Sequence, residues 1–374
     1  MKKNSSIDYL IISAAYPYRG GISDSTHSLV NEMSNQNIKC EVWTFKLLYP
    51  KLFFPGKTQY SKEVFNSDFK IVREFNTLNP LRWIITARKI NRIAPKKLIF
   101  RYWTPLLALS YFVISSILNS KIKVIGLVDN WSGHERIFFE GFFRRLFIKS
   151  CDSFISFSEN VGNNLKKNTN KKVLSLFHPI NNHLPKKISK DEALSNLNLP
   201  SMKYILFIGL VRKYKGVETL IKAFHYVSKE HEDLKLIIAG EFYDDITIYN
   251  KLIRRKDFED KVIIDNNFLE SSKIRDYICA SDVIVQPYKK ASQSGITPVA
   301  YFYDTPLVVS DIEGLREIII DDRSGEIFDK TPSNLAIAIK RCINPESNRN
   351  YSNNIAKSKV KYSWSRFVKE IEAF

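Results

Sequence analysis

The chain has 374 residues, is 44% hydrophobic and carries a formal net charge of +18; this length predicts two domains, and this composition is typical of a soluble globular protein. Its four cysteines lie far apart without a CxxC pair, which excludes zinc-type ligand spacing and favours free thiols in a reducing compartment.

The N-terminus does not have the sequence pattern of a signal peptide. The uncharged residues 102–120 include a proline and several serines, so they predict a buried helix and a cytoplasmic protein.

The positive charge is concentrated in the first half of the chain. Residues 1–185 hold 27 Lys/Arg against 12 Asp/Glu, whereas the remainder holds 30 against 27. This asymmetry suits an anionic partner such as nucleic acid, a membrane surface or a phosphorylated substrate. A solvated basic surface in a protein rich in Lys and Asn is the alternative; it explains the total charge well and the asymmetry less well.

Short apolar strands alternate with helical patterns along the first half. Strands are predicted over residues 9–14, 39–45, 97–100, 122–128, 153–157 and 173–177, with helices over 25–36, 83–93 and within 102–120. The polar residues 185–200 begin and end with proline, and they are predicted to form an interdomain linker with a short helix in its middle. The N-terminal domain is therefore expected to cover residues 1–184.

The second half repeats this alternation. Strands are predicted over residues 204–208, 234–239, 262–264, 283–286 and 307–310, each followed by a helical pattern. Short continuous apolar runs between amphipathic helices indicate parallel sheets covered on both faces, and hence an α/β fold class. We predict a C-terminal domain over residues 201–358, followed by a helix over 359–374 that packs back toward the N-terminal domain. Doubly wound sheets bind ligands at the carboxyl ends of their strands.

Two glycine-containing loops, each between a strand and a helix, are candidates for phosphate binding. Gly20 and Gly21 lead into the first helix, and the loop that starts at Gly209 leads into a helix of the second half. Backbone N–H groups and the helix dipole attract anions at such positions, and small residues let the backbone approach a ligand. Arg212 and Lys215 lie beside the second helix start, where they are suited to binding a diphosphate.

A third candidate segment follows the strand predicted at residues 283–286. Its amides and hydroxyl groups lie at another helix start, where they are suited to holding phosphate or sugar hydroxyls without a metal ion. The residues of this segment are Ser292, Gln293, Ser294, Gly295, Ile296 and Thr297. An ordinary serine-type helix cap is the alternative interpretation.

Two histidines lie at positions of interest. His134 follows the strand predicted at residues 122–128, and His178 lies near the predicted domain crossing. A single histidine is most often a structural hydrogen-bonding residue, and we favour that role for His178. The chain has no Asp-x-Asp triplet, HExxH, GxSxG, P-loop or zinc spacing. We therefore expect neither a metal nor a cofactor, and the charge of an anionic donor must be met by Lys, Arg and backbone amides.

Taken together, these segments are similar to glycosyltransferase family 4, the group 1 glycosyltransferases with the GT-B fold. The resemblance covers most of the chain and is strongest over residues 204–328. It is carried by the segments FIG, KGVETLIKAF, LIIAGE, SDVIVQPY, TPLVVSD and EGLREII. It implies two Rossmann-like domains whose parallel sheets face each other across a cleft, with the acceptor on the N-terminal domain and the nucleotide sugar on the C-terminal domain.

The resemblance also implies roles for individual residues. Lys215 and Arg212 are expected to stabilise the departing phosphate, and His134 to contact the donor sugar. The donor-binding residues would be Gly20, Gly21, Gly209, Glu241 and the six residues of the third candidate segment. The implied reaction is a retaining, metal-independent transfer of a hexose-type sugar from a nucleotide-diphosphate sugar to a hydroxyl of a glycan or a lipid-diphosphate-linked glycan. Such a reaction fits cell-surface polysaccharide biosynthesis.

The chain departs from the family at one point. The family carries two glutamates spaced E-x7-E, and the corresponding positions here, 291 or 292 and 299 or 300, are not acidic. A catalytically silent relative that binds a sugar nucleotide or a partner is therefore the alternative function. A sugar-nucleotide epimerase of the same fold is less similar. Nucleic-acid binding is not expected, because the chain lacks a recognised binding motif. The basic first half instead suggests peripheral docking of the acceptor domain on the anionic inner face of the plasma membrane.

Overall fold

The computed structural model of the chain describes residues 7–49, 58–61, 69–131, 139–181, 184–254, 258–329 and 331–374. The chain divides into two compact units. Unit 1 consists of Met1–Pro179 together with Trp364–Phe374, and unit 2 consists of Ile180–Ser363. In both units, strands and helices alternate along the chain, as the sequence predicts.

Unit 1 is a parallel sheet with helices between its strands. In chain order its first elements are β1 (Tyr9–Ile12), α1 (Gly21–Asn35), β2 (Cys40–Leu47), β3 (Lys70–Asn76), α2 (Pro80–Ile93), β4 (Lys97–Tyr102), a 3₁₀ turn (Pro105–Leu107), α3 (Ala108–Ser115), β5 (Lys123–Val128), α4 (Glu140–Ser150), β6 (Ser153–Ser156), α5 (Glu159–Lys166) and β7 (Val173–Ser175). The strand order is β3-β2-β1-β4-β5-β6-β7, and the paired strands are parallel. This is the doubly wound arrangement.

Unit 2 repeats the plan. Its elements are α6 (Lys190–Asn196), β8 (Lys203–Ile208), a 3₁₀ turn (Lys213–Lys215), α7 (Val217–Val227), β9 (Leu234–Ala239), α8 (Ile246–Arg254), β10 (Val262–Asp265), α9 (Ser271–Ala280), β11 (Val283–Gln286), α10 (Ile296–Phe302), β12 (Leu307–Ser310), α11 (Glu313–Asp322), β13 (Gly325–Phe328), α12 (Pro332–Cys342) and α13 (Pro345–Ser358). The parallel strand order is β10-β9-β8-β11-β12-β13. The strand order reverses between β8 and β11, as it does between β1 and β4 in unit 1.

The boundaries between the units differ from those predicted. Residues 185–200, predicted as a linker, lie inside unit 2. The short helix predicted there is α6, and its Ala193 and Leu194 are buried in the core of that unit. The last helix, α14 (Trp364–Ala373), belongs to unit 1, where Trp364 and Phe367 are fully buried. Phe367 stacks on Phe157 with ring centroids 5.2 Å apart.

Residues 102–120 do not form one long helix. They include the 3₁₀ turn Pro105–Leu107 and α3, whose Ala108, Tyr111 and Ile114 are fully buried. Throughout the ranges given above, no helix combines the length and apolarity required to span a bilayer.

Candidate active site

In unit 2, two loops meet where the strand order reverses between β8 and β11. The first loop runs from Gly209 to the start of α7, and the second runs from the end of β11 to the start of α10. The Lys289 N–H donates to the Tyr214 carbonyl over 2.7 Å, which joins the two loops. Crevices at such reversal points are the usual ligand sites of open α/β sheets. Two of the three loops singled out in the sequence therefore lie together.

Gly216 makes the close approach of these loops feasible. Its φ of +69° lies in the left-handed region, which side chains other than glycine adopt at a cost. A Cβ atom at this position would also overlap the carbonyl oxygen of Pro287 in the second loop. The residue must therefore be glycine for α7 to begin here.

Gly216→Ala is expected to destabilise the protein by roughly 2–5 kcal/mol, because backbone strain and steric overlap add. The matched control is Gly295→Ala in the neighbouring loop. Gly295 has a φ of −70°, and none of the atoms that the structure describes lies within 4 Å of the position that its Cβ would occupy. Urea-induced unfolding measures both effects; equal stability of the two variants would contradict the structural role of Gly216.

Lys215 connects the two loops through an aromatic ring. Its Nζ atom lies 4.0 Å from the ring centroid of Tyr288, a buried residue of the second loop. The Tyr288 hydroxyl lies 3.5 Å from the Ser294 Oγ, which accepts a 3.2 Å hydrogen bond from the Ile296 N–H. An ammonium group over an aromatic face is attracted by the ring quadrupole. The Lys215 side chain is half-buried. The contact with the Tyr288 ring therefore orients the Lys215 ammonium group while part of the side chain stays accessible to solvent.

Arg212, on the first loop, lies beside the segment of chain that follows β9. Its guanidinium carbon is 4.8 Å from the ring centroid of Tyr243. The Val211 N–H donates to the Glu241 carbonyl over 2.9 Å, so the first loop runs parallel to the chain after β9. The Glu241 side chain is buried. The arrangement places two cations, Arg212 and Lys215, on one loop at the edge of the sheet.

The third candidate segment is partly buried. Ser294 and Thr297 are buried, Ser292 and Gln293 are half-buried, and Gly295 is exposed. Thr297 exchanges hydrogen bonds of 3.2 and 3.3 Å with the side chain of Gln286, so its hydroxyl is engaged within the protein.

The remaining contacts of this segment define which surface it presents. The Ile296 side chain lies over Gly209, with Cδ1 3.7 Å from the position of a Cβ there. Gly314 at the start of α11 lies against the backbone of Ser292. The exposed surface of the segment is therefore centred on Gly295.

In unit 1, the loop after β1 ends at Gly20 and Gly21. Gly20 has a φ of +102°, and no atom of the described residues lies within 4 Å of the position of a Cβ at either glycine. Within the described part of the chain, the backbone at the start of α1 is thus open to a ligand. His134, the residue expected to contact the donor sugar, lies outside the described residues.

A buried ion pair that the sequence patterns did not predict lies beside the start of α1. Arg101, at 1% exposure, makes hydrogen bonds of 2.8 and 2.7 Å to the two carboxylate oxygens of Asp129. Its other N–H groups donate to the Ile22 carbonyl and to the hydroxyls of Ser25 and Thr26, over 2.7–3.0 Å. One side chain therefore anchors the first turns of α1. A charged residue inside the apolar strand β4 is the signal that could have indicated it.

Other groups have clear structural roles. His178 lies on the ring of Phe157 with its Nδ1 3.1 Å from the Pro179 carbonyl oxygen, and burial lowers the pKa of its imidazole below the ordinary value. This matches the structural role favoured for it. Among the described residues, no three His, Cys, Asp or Glu side chains lie close enough together to hold a metal ion.

Comparison with known proteins identifies the segment that carries the unit 2 site. Residues 189–359 match the family model of glycosyl transferases group 1. These residues form a group 1 glycosyltransferase domain. The family resemblance predicted from the sequence is thereby confirmed for unit 2, and the site described above lies within the group 1 domain.

Individual relatives extend this result. An uncharacterized glycosyltransferase of Methanocaldococcus jannaschii is 31% identical over 176 residues, which are 45% of this chain and 43% of the relative. Two further curated relatives are matched over 60% and 30% of their own lengths.

Solved structures resemble both units. Sucrose-phosphate synthase from Thermosynechococcus elongatus has a TM-score of 0.78 at 14% identity, covering 98% of this chain and 97% of that one. Anabaena HepE in complex with UDP-glucose has a TM-score of 0.72 at 12% identity, covering 98% and 99%. At these identities the likeness concerns the fold alone, and it confirms the predicted GT-B fold class with its two parallel-sheet α/β domains.

Proposed function

We propose that the protein transfers a hexose-type sugar from a nucleotide-diphosphate sugar to a hydroxyl group of a glycan or a lipid-linked glycan. The observation that carries this proposal is the placement of Lys215, oriented by Tyr288, where the two loops meet between β8 and β11. Arg212 on the same loop adds a second positive charge. A diphosphate is the anionic group that two cations on one loop and a helix start bind well.

In the proposed reaction, the group 1 domain holds the nucleotide and the diphosphate. The bond between the anomeric carbon and the diphosphate oxygen breaks, and its electron pair leaves with the diphosphate. Lys215 and Arg212 stabilise the charge that develops there, together with the amides near Gly295. The acceptor hydroxyl, held by unit 1, forms the new bond on the same face of the sugar and gives its proton to the departing diphosphate. His134 orients the sugar, and Gly20 and Gly21 leave room for the donor.

A structural neighbour supports the donor class, because the HepE structure contains UDP-glucose. Curated relatives named D-inositol 3-phosphate glycosyltransferase and alpha-D-kanosaminyltransferase support glycosyl transfer as the reaction. We infer that the donor charge is met without a metal ion and that no cofactor is required. Cell-surface polysaccharide biosynthesis on the cytoplasmic side is the proposed setting, and nucleic acid is not among the proposed partners.

The test is a panel of UDP-, GDP-, ADP- and dTDP-hexoses. The correct donor is expected to raise the melting temperature and to be hydrolysed slowly in the absence of an acceptor, and EDTA is expected to change neither result. Tight donor binding without hydrolysis or transfer to any acceptor would favour a catalytically silent relative. No stabilisation by any nucleotide sugar would contradict the proposed function, and a loss of turnover in EDTA would contradict metal independence.

A further inference from the structure

One face of unit 1 is formed by α2, the 3₁₀ turn at Pro105–Leu107, α3 and α4. The helix α3 packs against both α2 and α4. The buried sides of these helices join a single core on that face of the sheet, with members such as Trp83, Tyr111 and Phe147. We call this surface the α2–α4 face.

The α2–α4 face exposes many large apolar side chains. Leu81 is 72% exposed and Phe142 is 56% exposed, although both lie in regular helices. Nearly half of the exposed large hydrophobic residues in the described part of the chain lie on or beside these helices: Leu78, Leu81, Ile85, Leu106, Leu109, Phe139 and Phe142. Single exposed apolar residues are ordinary, whereas a cluster on neighbouring elements indicates an interaction surface.

The same face is basic. On α2, the exposed stripe begins with Leu81 and Ile85 and continues with Arg88 and Arg92, at i+7 and i+11 from Leu81. On α4, Phe142 is followed by exposed basic residues at i+3 and i+7, which are Arg145 and Lys149.

Acidic residues are scarce in the part of the chain that contains α2 and α3. Between Glu74 and Asp129 the sequence contains nine Lys/Arg and no Asp or Glu. Both helical stripes are therefore apolar in their first half and cationic in their second half. Glu140, the acidic residue in the first turn of α4, forms an ion pair with Arg144.

The apolar and basic halves of the stripes on α2 and α4 lie at opposite edges of the sheet. Each of these helices connects parallel strands, so it starts at the carboxyl edge of the sheet and runs back toward the amino edge. The apolar residues consequently lie nearest the edge where doubly wound sheets bind ligands, and the basic residues lie behind them.

We propose that the α2–α4 face docks on an anionic lipid bilayer. Apolar side chains that penetrate the boundary between headgroups and acyl chains, next to Lys and Arg at headgroup level, are the composition of interfacial helices. A second copy of the chain would bring like charges together on this face, which disfavours self-association. The inference rests on the proposed function in one respect: docking presents the carboxyl edge of unit 1 to an acceptor carried by lipid.

Flotation of the full-length protein with vesicles of phosphatidylcholine and 30% phosphatidylglycerol tests the proposal. A double variant, Leu81→Ser with Phe142→Ser, removes exposed apolar groups. A quadruple variant removes charge and combines Arg88→Gln, Arg92→Gln, Arg145→Gln and Lys149→Gln. Each is expected to lower the partition coefficient at least about tenfold, because several apolar or cationic contacts are lost at once. Binding of the parent chain is expected to fall as salt is raised or phosphatidylglycerol is left out.

Matched variants elsewhere remove the same kinds of groups from exposed positions outside this face. They are Ile320→Ser with Ile337→Ser in unit 2, and Lys166→Gln with Lys167→Gln in unit 1 together with Lys222→Gln and Lys229→Gln in unit 2. These controls are expected to float like the parent chain. An equal loss of vesicle binding in the face variants and the control variants would contradict the assignment of the α2–α4 face as the docking surface. The docking proposal fails if the parent chain binds neutral vesicles as well as anionic ones, or if it forms dimers through this face without binding vesicles.

Donor hydrolysis without vesicles, measured on the same preparations, separates this proposal from the proposed function. The face variants are expected to hydrolyse the donor at the parent rate, and their melting temperatures are expected to match that of the parent chain, which shows that they fold. Vesicle binding without any donor turnover would contradict the proposed function alone. Donor turnover without vesicle binding would contradict the docking alone.

Discussion

Lys215→Met is expected to lower the turnover number of sugar transfer by roughly 10²- to 10³-fold, the cost of removing one preorganised charge from a developing anion. Methionine keeps the apolar stem beside the Tyr288 ring, so the free energy of unfolding is expected to stay close to that of the parent chain. Steady-state kinetics with the donor identified by the panel measure the effect. A larger change in the turnover number than in the Michaelis constant is expected if the charge acts mainly on the departing diphosphate.

A neighbouring residue provides the control for Lys215. Lys213 lies in the same 3₁₀ turn but is exposed, so Lys213→Met removes an equal charge from nearly the same place. This variant is expected to keep the turnover number within a factor of about three of the parent value, since exposed charges are screened. Lys215→Arg is expected to recover part of the lost activity. If the two methionine variants were equally impaired, the loss would reflect overall charge and not the position held by Tyr288.

Arg101→Met is expected to lower the free energy of unfolding by about 3–5 kcal/mol, because it leaves the Asp129 carboxylate buried without its cation. The substitution also removes the donors that hold the start of α1, through Ser25 and Thr26. The Gly20–Gly21 loop is expected to loosen with it. Urea-induced unfolding followed by circular dichroism measures the loss of stability.

Two comparisons separate this buried pair from ion pairs in general. The Arg254–Glu259 pair is 76% and 60% exposed, and Arg254→Met is expected to change the free energy of unfolding by no more than about 1 kcal/mol. In the double variant Arg101→Met with Asp129→Leu, both charges are gone, and much of the lost stability is expected to return. A single Arg101 variant as stable as the Arg254 variant would show that the pair contributes little.

Most strands of both sheets could be predicted because each is a short, continuous apolar run. β3 and β13 were missed, and both lie at a sheet edge. β3 (KIVREFN) contains charged residues, and β13 (GEIF) is short and begins with glycine. An edge strand has a neighbouring strand on one side only and is less buried than a central strand. Its composition can therefore be as polar as that of a loop. The linker was predicted at residues 185–200 because they are polar except for the few apolar side chains that α6 buries in unit 2.

The candidate site was predicted in part. Glycines and basic residues between strand and helix pointed to the loops at Gly209 and Gly295, because anion binding at helix starts leaves a local pattern. Tyr288 could not be assigned, although it belongs to a segment singled out for the family resemblance, because its role depends on Lys215 from a different loop. Arg101 and Asp129 are 28 residues apart in the chain, and only the pairing of β4 with β5 brings them together.

The sequence by itself determined that the chain forms two parallel α/β sheets, which loops approach the carboxyl edges of those sheets, and that the first half is strongly basic. Periodicity, glycine placement and charge are local properties, and they can be read without knowing which elements are neighbours. Only the tertiary structure decided which side chains meet: the ammonium group of Lys215 over Tyr288, the buried pair of Arg101 and Asp129, and the apolar and basic stripes of α2 and α4 on one face. Such contacts depend on strand order and helix packing between residues far apart in the chain, and burial then sets how strongly each of them acts.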